Sequence, residues 1–170
     1  MRRRTLEFLI PDAGISPGER SFRVGWFAAL KRTDGARPEV TPDYVARQGR
    51  TLRVVDVRNA DELLGVLGHV PGSDWVPLQE AGLLHTRVGP WEPLVLVDED
   101  GSRAHALAAW LEEAGLNMVA AMRGGMVAWK ETGLASARDP LLIQRRNQLS
   151  PLPQWAAQEG GAAFTREDIV

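Results

Sequence analysis

The sequence predicts an α/β fold with a mainly parallel sheet and helices on both faces. Its clearest segment is residues 94–114, where the apolar run Leu94–Val97 is followed by a six-residue loop and an Ala/Leu-rich stretch that ends at Gly115. A short, continuous apolar run is typical of a strand buried on both faces, and Ala and Leu favour a helix that a glycine then ends. Strand-like and helix-like segments also alternate between residues 39 and 135, which favours parallel strands joined by helices.

The first 38 residues are predicted to form an N-terminal extension that packs on the core or on a partner. An apolar stretch at residues 6–10 could form a short strand, closed by the turn-forming residues 11–14. Aromatic and aliphatic residues between 21 and 31 share one helical face, and the Asp-Gly pair at 34–35 closes that segment. Residues 35–38 have the composition of a linker.

The compact domain is predicted to span residues 39–135. Thr41 is a plausible N-cap for the first helix of this domain, and either Asn59 or Asp61 caps the second. The Gly-Gly pair at 124–125 turns the chain into a last helix, which ends at Gly133. Apolar and β-branched runs predict strands at residues 52–58, 75–77, 94–97 and 116–122.

Residues 136–170 are predicted to form a partly irregular C-terminal extension. Pro151 and Pro153 break any helix there, and residues 159–163 have a loop-like composition. Residues 165–170 resemble the start of a helix, with a cap followed by an acid three residues later. A helix that begins at the last residues leads us to expect that the chain is truncated at Val170.

Composition excludes several kinds of chemistry. The 170 residues carry a formal net charge of −2 and include no cysteine. A chain without cysteine has no disulfide, no thiolate metal ligand and no thiol nucleophile. The small net charge gives no reason to expect nucleic acid or an anionic membrane as partner, and no apolar run is long enough to span a bilayer. The basic residues 2–4 are not followed by the apolar stretch of a signal peptide, so we expect a soluble, cytoplasmic protein.

Four passages of the compact domain resemble the rhodanese (sulfurtransferase) family. They occur in the family's order, as residues 55–58 (Val-Asp-Val-Arg), residues 68–73 (Gly-His-Val-Pro-Gly-Ser), the strand, loop and helix of 94–114, and residues 123–134. The resemblance implies a rhodanese-like single domain around a central, mainly parallel, five-stranded sheet. In active members the loop after the central strand begins with a cysteine and ends in an arginine, with a glycine between them. That cysteine takes sulfur from a donor and carries it as a persulfide.

In this chain an aspartate occupies the position of the family's cysteine. Asp98 begins the loop, and Gly101 and Arg103 take the glycine and arginine positions, so the loop keeps the sulfurtransferase length. A carboxylate oxygen cannot relay sulfane sulfur, because the reaction needs a polarisable thiolate. We therefore expect no sulfurtransferase activity and no catalytic residue in this degenerate loop, which consists of Asp98, Glu99, Asp100, Gly101, Ser102 and Arg103.

A structural role is the simplest interpretation of Asp98. Backbone N–H groups converge where a strand leads into a helix, and a carboxylate among them would imitate the charge of a persulfide. Such hydrogen bonds stabilise a carboxylate by about 1–3 kcal/mol. We expect Arg103 to pair with Asp98 or with a neighbouring acid, and Glu99 and Asp100 to form a solvated acidic rim.

Two catalytic alternatives use the same loop. In the first, residues 98–100 bind a divalent cation and serve a metal-dependent enzyme of phosphoryl transfer or hydrolysis. The loop resembles the start of a calcium-binding loop, but Ala109 stands where the bidentate glutamate belongs, which leaves magnesium as the candidate. In the second, Asp98 is a nucleophile that forms an acyl phosphate, with Arg103 as the one local cationic clamp. We expect the protein to bind neither a metal ion nor a cofactor.

The remaining candidate residues have structural interpretations. By resemblance to the family, Asp56 and Arg58 brace the loops around the pocket, and His69 is expected to brace the backbone of its turn. His85 and His105 have no second histidine or cysteine nearby in sequence, which argues against a zinc site. Four of the six tryptophans are predicted to lie in the core or at the rim of the pocket: Trp75, Trp110 and Trp129 in the core, and Trp91 at the rim.

The sequence therefore predicts a non-catalytic domain that acts as a binding, regulatory or assembly module. Inactive domains of the family serve as regulatory or docking elements attached to other enzymes, and the resemblance implies a similar role here. We expect a protein partner or an adjoining domain. Association into a homo-oligomer is a second possibility, whereas nucleic acid and membrane partners are not expected.

Overall fold

The computed structural model describes residues 15–151 and confirms the α/β fold. Its strands are β1 (Lys31–Arg32), β2 (Pro38–Val40), β3 (Arg53–Asp56), β4 (Asp74–Trp75), β5 (Leu94–Val97) and β6 (Val119–Met122). They form one sheet in the order β1-β2-β6-β5-β3-β4, in which β1 and β2 are antiparallel and all other neighbours are parallel.

Seven α-helices accompany the sheet in this part of the chain. They are α1 (Pro17–Ala29), α2 (Pro42–Gln48), α3 (Ala60–Leu63), α4 (Leu84–Arg87), α5 (Ser102–Glu113), α6 (Gly125–Glu131) and α7 (Leu141–Gln144). Two 3₁₀ helices occupy Gly49–Thr51 and Leu78–Leu83. No helix between residues 15 and 151 is long and apolar enough to cross a membrane.

The sheet has six strands rather than the five expected, because the strand β1 adds to one edge by forming a short hairpin with β2. Lys31 pairs with Glu39 and Arg32 with Pro38. The intervening turn is closed by hydrogen bonds between Thr33 and Arg37, so the prediction of a linker at residues 35–38 is wrong. A strand of two charged residues carries no apolar pattern from which it could be predicted.

The first helix begins earlier than predicted. Ser16 caps it by accepting a hydrogen bond of 3.2 Å from the backbone N–H of Glu19, and the helix ends at Ala29. Trp26 on this helix has no exposed surface and meets the ring of Tyr44 edge to face, with the ring centroids 6.2 Å apart. The strand predicted at residues 6–10 lies outside the described residues.

Local sequence signals account for the helix starts within the compact domain. Thr41 caps α2, with Pro42 in its first turn, as predicted. Asn59, rather than Asp61, caps α3, and it forms a reciprocal capping box with Glu62. The predicted strands at 52–58 and 116–122 are present but shorter, whereas Leu94–Val97 has the predicted bounds.

The two faces of the sheet bury separate apolar clusters. Along β5, Val95 and Val97 join a cluster with residues of α1, α2 and α6, whereas Leu94 and Leu96 join one with residues of α5. This alternation follows from the two-residue period of a strand. It confirms that helices cover both faces of the sheet.

Two of the three tryptophans predicted to be core residues are buried. Trp129 is 4% exposed and Trp75 3% exposed, whereas Trp110 is 49% exposed, so the prediction for Trp110 is wrong. The buried positions of α5 are Ala104, Ala108 and Leu111. Trp110 lies two residues beyond Ala108, which turns it away from that face. Its ring instead meets the ring of His85 edge to face, with a centroid distance of 5.7 Å.

Residues 145–151 cover the outer edge of β4. The backbone N–H of Asn147 donates to the carbonyl oxygen of Trp75 over 2.9 Å. The buried Asp74 carboxylate accepts hydrogen bonds from the N–H and hydroxyl of Ser150 and from Arg53. The helix start predicted at 165–170 lies beyond the described residues.

Candidate functional site

Three parallel strands end at the same edge of the sheet, and this brings the predicted site residue Asp56 next to the loop that Asp98 begins. Asp56 is the last residue of β3, Asp98 follows β5 and Arg123 follows β6. The strand β5 lies between β3 and β6. In open parallel sheets, ligands bind at the carboxyl ends of the strands, so this edge is the candidate site.

The Asp98 side chain is enclosed by its own loop. Its Oδ1 atom accepts a hydrogen bond of 2.6 Å from the N–H of Gly101, and Oδ2 accepts one of 2.9 Å from the N–H of Arg103. The residue has no exposed surface. Gly101 adopts a φ of 96°, which a residue with a side chain rarely does, and this turns the loop back over the carboxylate.

Arg103 holds two acids at once. Its Nε atom lies 3.6 Å from Asp98 Oδ2, and Nη2 lies 3.3 Å from Glu62 Oε1. The side chain is 41% exposed, so the guanidinium forms part of the outer surface of the loop. Solvent screens such an exposed charge, and its pairing adds little to stability.

The other two acids of the loop are exposed, whereas Asp98 is buried. Asp100 is exposed and accepts hydrogen bonds from the N–H and hydroxyl of Ser102, which lower the pKa of its carboxyl. Glu99 is exposed as well. Among residues 15–151 there is no group of three or more histidine, aspartate or glutamate side chains placed to hold a metal ion.

The first turn of α6 supports the loop from behind. Val127 donates its backbone N–H to the carbonyl oxygen of Glu99 over 3.0 Å, and Met126 makes the corresponding bond to Asp98. Gly125 lies in this contact with a φ of 58°. The Gly-Gly pair of the sequence therefore serves a close approach between two backbone segments as well as a turn.

Asp56 and Arg58 form a buried ion pair beside the loop. Arg58 donates from Nε to Oδ1 over 3.0 Å and from Nη2 to Oδ2 over 2.8 Å. The same Nη2 atom donates to the carbonyl oxygen of Gly68 over 2.6 Å, which ties in the turn that carries His69. Neither side chain is more than 1% exposed. Burial raises the pKa of the Asp56 carboxyl, and the hydrogen bonds from Arg58 oppose that shift.

His69 joins its turn to the C-terminal segment. Its backbone exchanges two hydrogen bonds of 2.8 Å with Ala137, and its Nε2 atom accepts the N–H of Asp139 over 3.3 Å. Its Nδ1 atom lies 3.1 Å from the carbonyl oxygen of Val70. The ring is thus fixed on both sides by backbone groups.

Sequence reasoning missed a second histidine contact behind the loop. His105 Nε2 lies 2.8 Å from Oε2 of the buried Glu39, and Nδ1 lies 2.5 Å from the carbonyl oxygen of Gly101. Glu39 is 66 residues away in sequence, and no local signal connects it with His105.

Trp91 does not lie at this edge. It precedes Leu94 at the amino end of β5, whereas the loop follows the carboxyl end of that strand. The guanidinium of Arg23 lies over its ring, with Cζ 4.4 Å from the ring centroid. The prediction that Trp91 lines the rim of the pocket is therefore wrong.

Comparison with known proteins identifies the fold. The family model of the rhodanese-like domain matches residues 41–132, more than half of the chain. Similar solved structures include a rhodanese-related protein from Thermoplasma volcanium, with 22% identity and a TM-score of 0.54, over 59% of this chain and 98% of that one. No curated protein matches the chain significantly.

Two further solved structures share the fold. A protein from Anabaena sp. is 16% identical with a TM-score of 0.54, over 62% of this chain and 86% of that one. A protein of unknown function from Rhodopseudomonas palustris is 19% identical with a TM-score of 0.51, over 75% of this chain and 99% of that one. At these identities the similarity shows a common fold and nothing about substrates.

Proposed function

Because this chain belongs to the rhodanese-like domain family, we propose that it is a catalytically inactive member that acts as a binding, regulatory or assembly module. It works in the cytoplasm with a protein partner or an adjoining domain. The proposal rests on the position and contacts of Asp98. This residue stands where the loop begins, both of its carboxylate oxygens accept hydrogen bonds from backbone N–H groups, and its side chain has no exposed surface.

The chemistry of the loop supports the absence of catalysis. Sulfur transfer requires a thiolate, and the chain has no cysteine. A carboxylate that is fully buried and bonded to two N–H groups cannot attack a substrate or bind a metal unless the loop opens. Asp100, the other acid with a fixed side chain, is held by Ser102.

The surface beside the loop supports a role in binding. Val127, which follows the contact between α6 and the loop, is 38% exposed, and Val66 is 72% exposed. Val127 belongs to α6, and the carbonyl oxygen of Val66 lies 3.5 Å from Nζ of Lys130 on the same helix. Apolar surface of this kind leaves water when a partner covers it, so these two side chains support a role in binding.

Restoring the family's nucleophile tests the proposal. We expect no sulfur transfer from thiosulfate by the wild-type chain or by Asp98→Ala. The Asp98→Cys variant contains one thiol, whose thiolate should attack the outer sulfur of thiosulfate, form a persulfide and release sulfite, because the loop keeps its length and its N–H groups. Mass spectrometry detects the added sulfur. Measurable sulfur transfer by the wild type would contradict the proposal.

Calorimetry with Mg²⁺, Mn²⁺ and Ca²⁺ tests the metal-dependent alternative. We expect no specific heat of binding, because Asp98 is bonded within the loop and Asp100 is bonded to Ser102. Micromolar binding that Asp98→Asn abolishes would favour a metal-dependent enzyme instead.

A further inference from the structure

An apolar cavity of about 430 Å³ lies beside the amino end of β3, whereas the degenerate loop lies at the edge of the sheet where the carboxyl end of β3 is found. Its walls include Val45 of α2, Leu52 and Val54 at the amino end of β3, Val70 of the turn that carries His69, and Trp129 of α6. The lining contains no residue of the loop 98–103 and neither Asp56, Arg58 nor His69, so the cavity shares no side chain with the candidate site described above.

The cavity is preformed. Each of those five wall residues is less than 10% exposed and belongs to one core cluster. The indole N–H of Trp129 already donates to the carbonyl oxygen of Ala135 over 2.9 Å, so the ring offers apolar surface. The turn at Val70 is fixed by a 3.1 Å hydrogen bond from the N–H of Ser73. Ligand sites in proteins share this size range and this apolar lining.

One cation lies on the wall of the cavity. Arg50 lines it and is exposed to solvent. Most arginines between residues 15 and 151 have an acid or carbonyl partner, as Arg47 has in Asp43, but Arg50 forms no ion pair or side-chain hydrogen bond within that range. A single unpaired guanidinium beside apolar walls is complementary to an apolar molecule with one carboxylate, which a guanidinium can bind with two hydrogen bonds.

From this combination we infer that the cavity binds a small amphipathic monocarboxylate. The apolar body lies between Val54 and Trp129, and the carboxylate pairs with Arg50. The volume admits up to about 14 non-hydrogen atoms at about 30 Å³ each, which corresponds to a medium-chain fatty acid or an aromatic acid of similar size.

Titration of the full chain with octanoate, followed by amide chemical shifts, tests the inference. We expect saturable shifts at Val45, Leu52, Val54 and Val70, with a Kd on the order of 0.1–1 mM for a ligand of this size. The neutral probe 1-octanol should bind roughly tenfold more weakly, because it lacks the charged partner of Arg50. Both probes are kept below the concentrations at which they self-associate.

Matched variants separate the charge from the cavity. Arg50→Gln should weaken octanoate binding roughly tenfold and leave 1-octanol binding unchanged. Arg47→Gln is the control: Arg47 lies three residues earlier and is already paired with Asp43, so its replacement should change the binding of neither probe. Ala46→Phe and Ala135→Phe fill the cavity from two different segments and should abolish binding of both probes. Circular dichroism shows whether each of these two variants folds. If one of them does not fold, the binding test uses the other.

Three results would overturn the inference. They are the absence of saturable shifts, octanoate binding that survives in a folded cavity-filled variant, and equal octanoate affinity in the wild type and in Arg50→Gln. Asp98→Asn should leave octanoate binding intact, so this inference and the proposed inactivity of the loop can fail independently.

Discussion

The backbone N–H of Met126 donates a hydrogen bond of 2.9 Å to the carbonyl oxygen of Asp98, and this bond ties the first turn of α6 to the loop. The contact requires a glycine at position 125. A Cβ atom there would lie 2.5 Å from the carbonyl oxygens of both Asp98 and Glu99. The position of the loop therefore depends on a residue in another element.

Gly125→Ala should destabilise the protein by about 3 kcal/mol or more, because it combines a left-handed φ with a clash against backbone atoms that cannot move aside. Gly133→Ala is the matched control, since Gly133 has a φ of 77° but nothing within 4 Å of its Cβ position. It should cost only about 1–2 kcal/mol. Urea unfolding measures both, and equal losses would contradict the role assigned to the contact.

Asp98→Asn should destabilise the protein by about 1–3 kcal/mol. The amide can accept from only one of the two N–H groups, so the other donor loses its partner inside the loop. Glu99→Gln changes the adjacent, exposed acid and should stay within about 0.5 kcal/mol of the wild type. Thermal unfolding of the two variants checks this difference, and a stable Asp98→Asn protein would show that the loop does not need the carboxylate.

Arg58→Met should cost about 3–5 kcal/mol, because it leaves the buried Asp56 carboxylate without its cation. The same substitution at Arg47 removes an exposed pair with Asp43 and should cost less than about 1 kcal/mol. Denaturant unfolding of both variants gives the comparison. Similar losses would mean that the Asp56–Arg58 pair does not behave as a buried one.

The pairing of Glu80 with residues 145–151 should make stability depend on pH. Hydrogen bonds from Arg146 and Asn147 lower the pKa of the Glu80 carboxyl in the folded state. Its contribution is therefore present above the ordinary pKa of a glutamate and is lost as the pH falls through the lowered folded value. Between pH 7 and pH 3, the free energy of unfolding should depend less steeply on pH in Glu80→Gln and in Arg146→Gln than in the wild type. An unchanged pH profile in both variants would refute the coupling.

The features that sequence predicted best are contiguous in the chain. A continuous apolar run gave the bounds of β5, and the six residues from Asp98 to Arg103 are grouped by their order alone. Local caps such as Thr41 act on N–H groups within one turn, so the sequence displays both partners.

The features it could not predict depend on distant or ambiguous partners. Glu39 and His105 meet because β2 and α5 pack together, and neither residue identifies the other in sequence. Trp110 stands at helical spacing from alanine and leucine, which predicts a core position, but this composition predicts a helix without fixing its buried face. The strand β1 consists of two charged residues and is defined only by its pairing with β2.

Neither edge of the described sheet offers a long row of unpaired backbone groups. On one side, residues 145–151 lie against β4, and on the other, β1 is only two charged residues long, with Arg32 bound to Glu112. Short, charged or covered edges oppose the addition of a strand from another molecule. Amyloid-like stacking and strand-donation contacts are thereby disfavoured, which leaves helical and loop surfaces as the places where this protein can join another without extending its sheet.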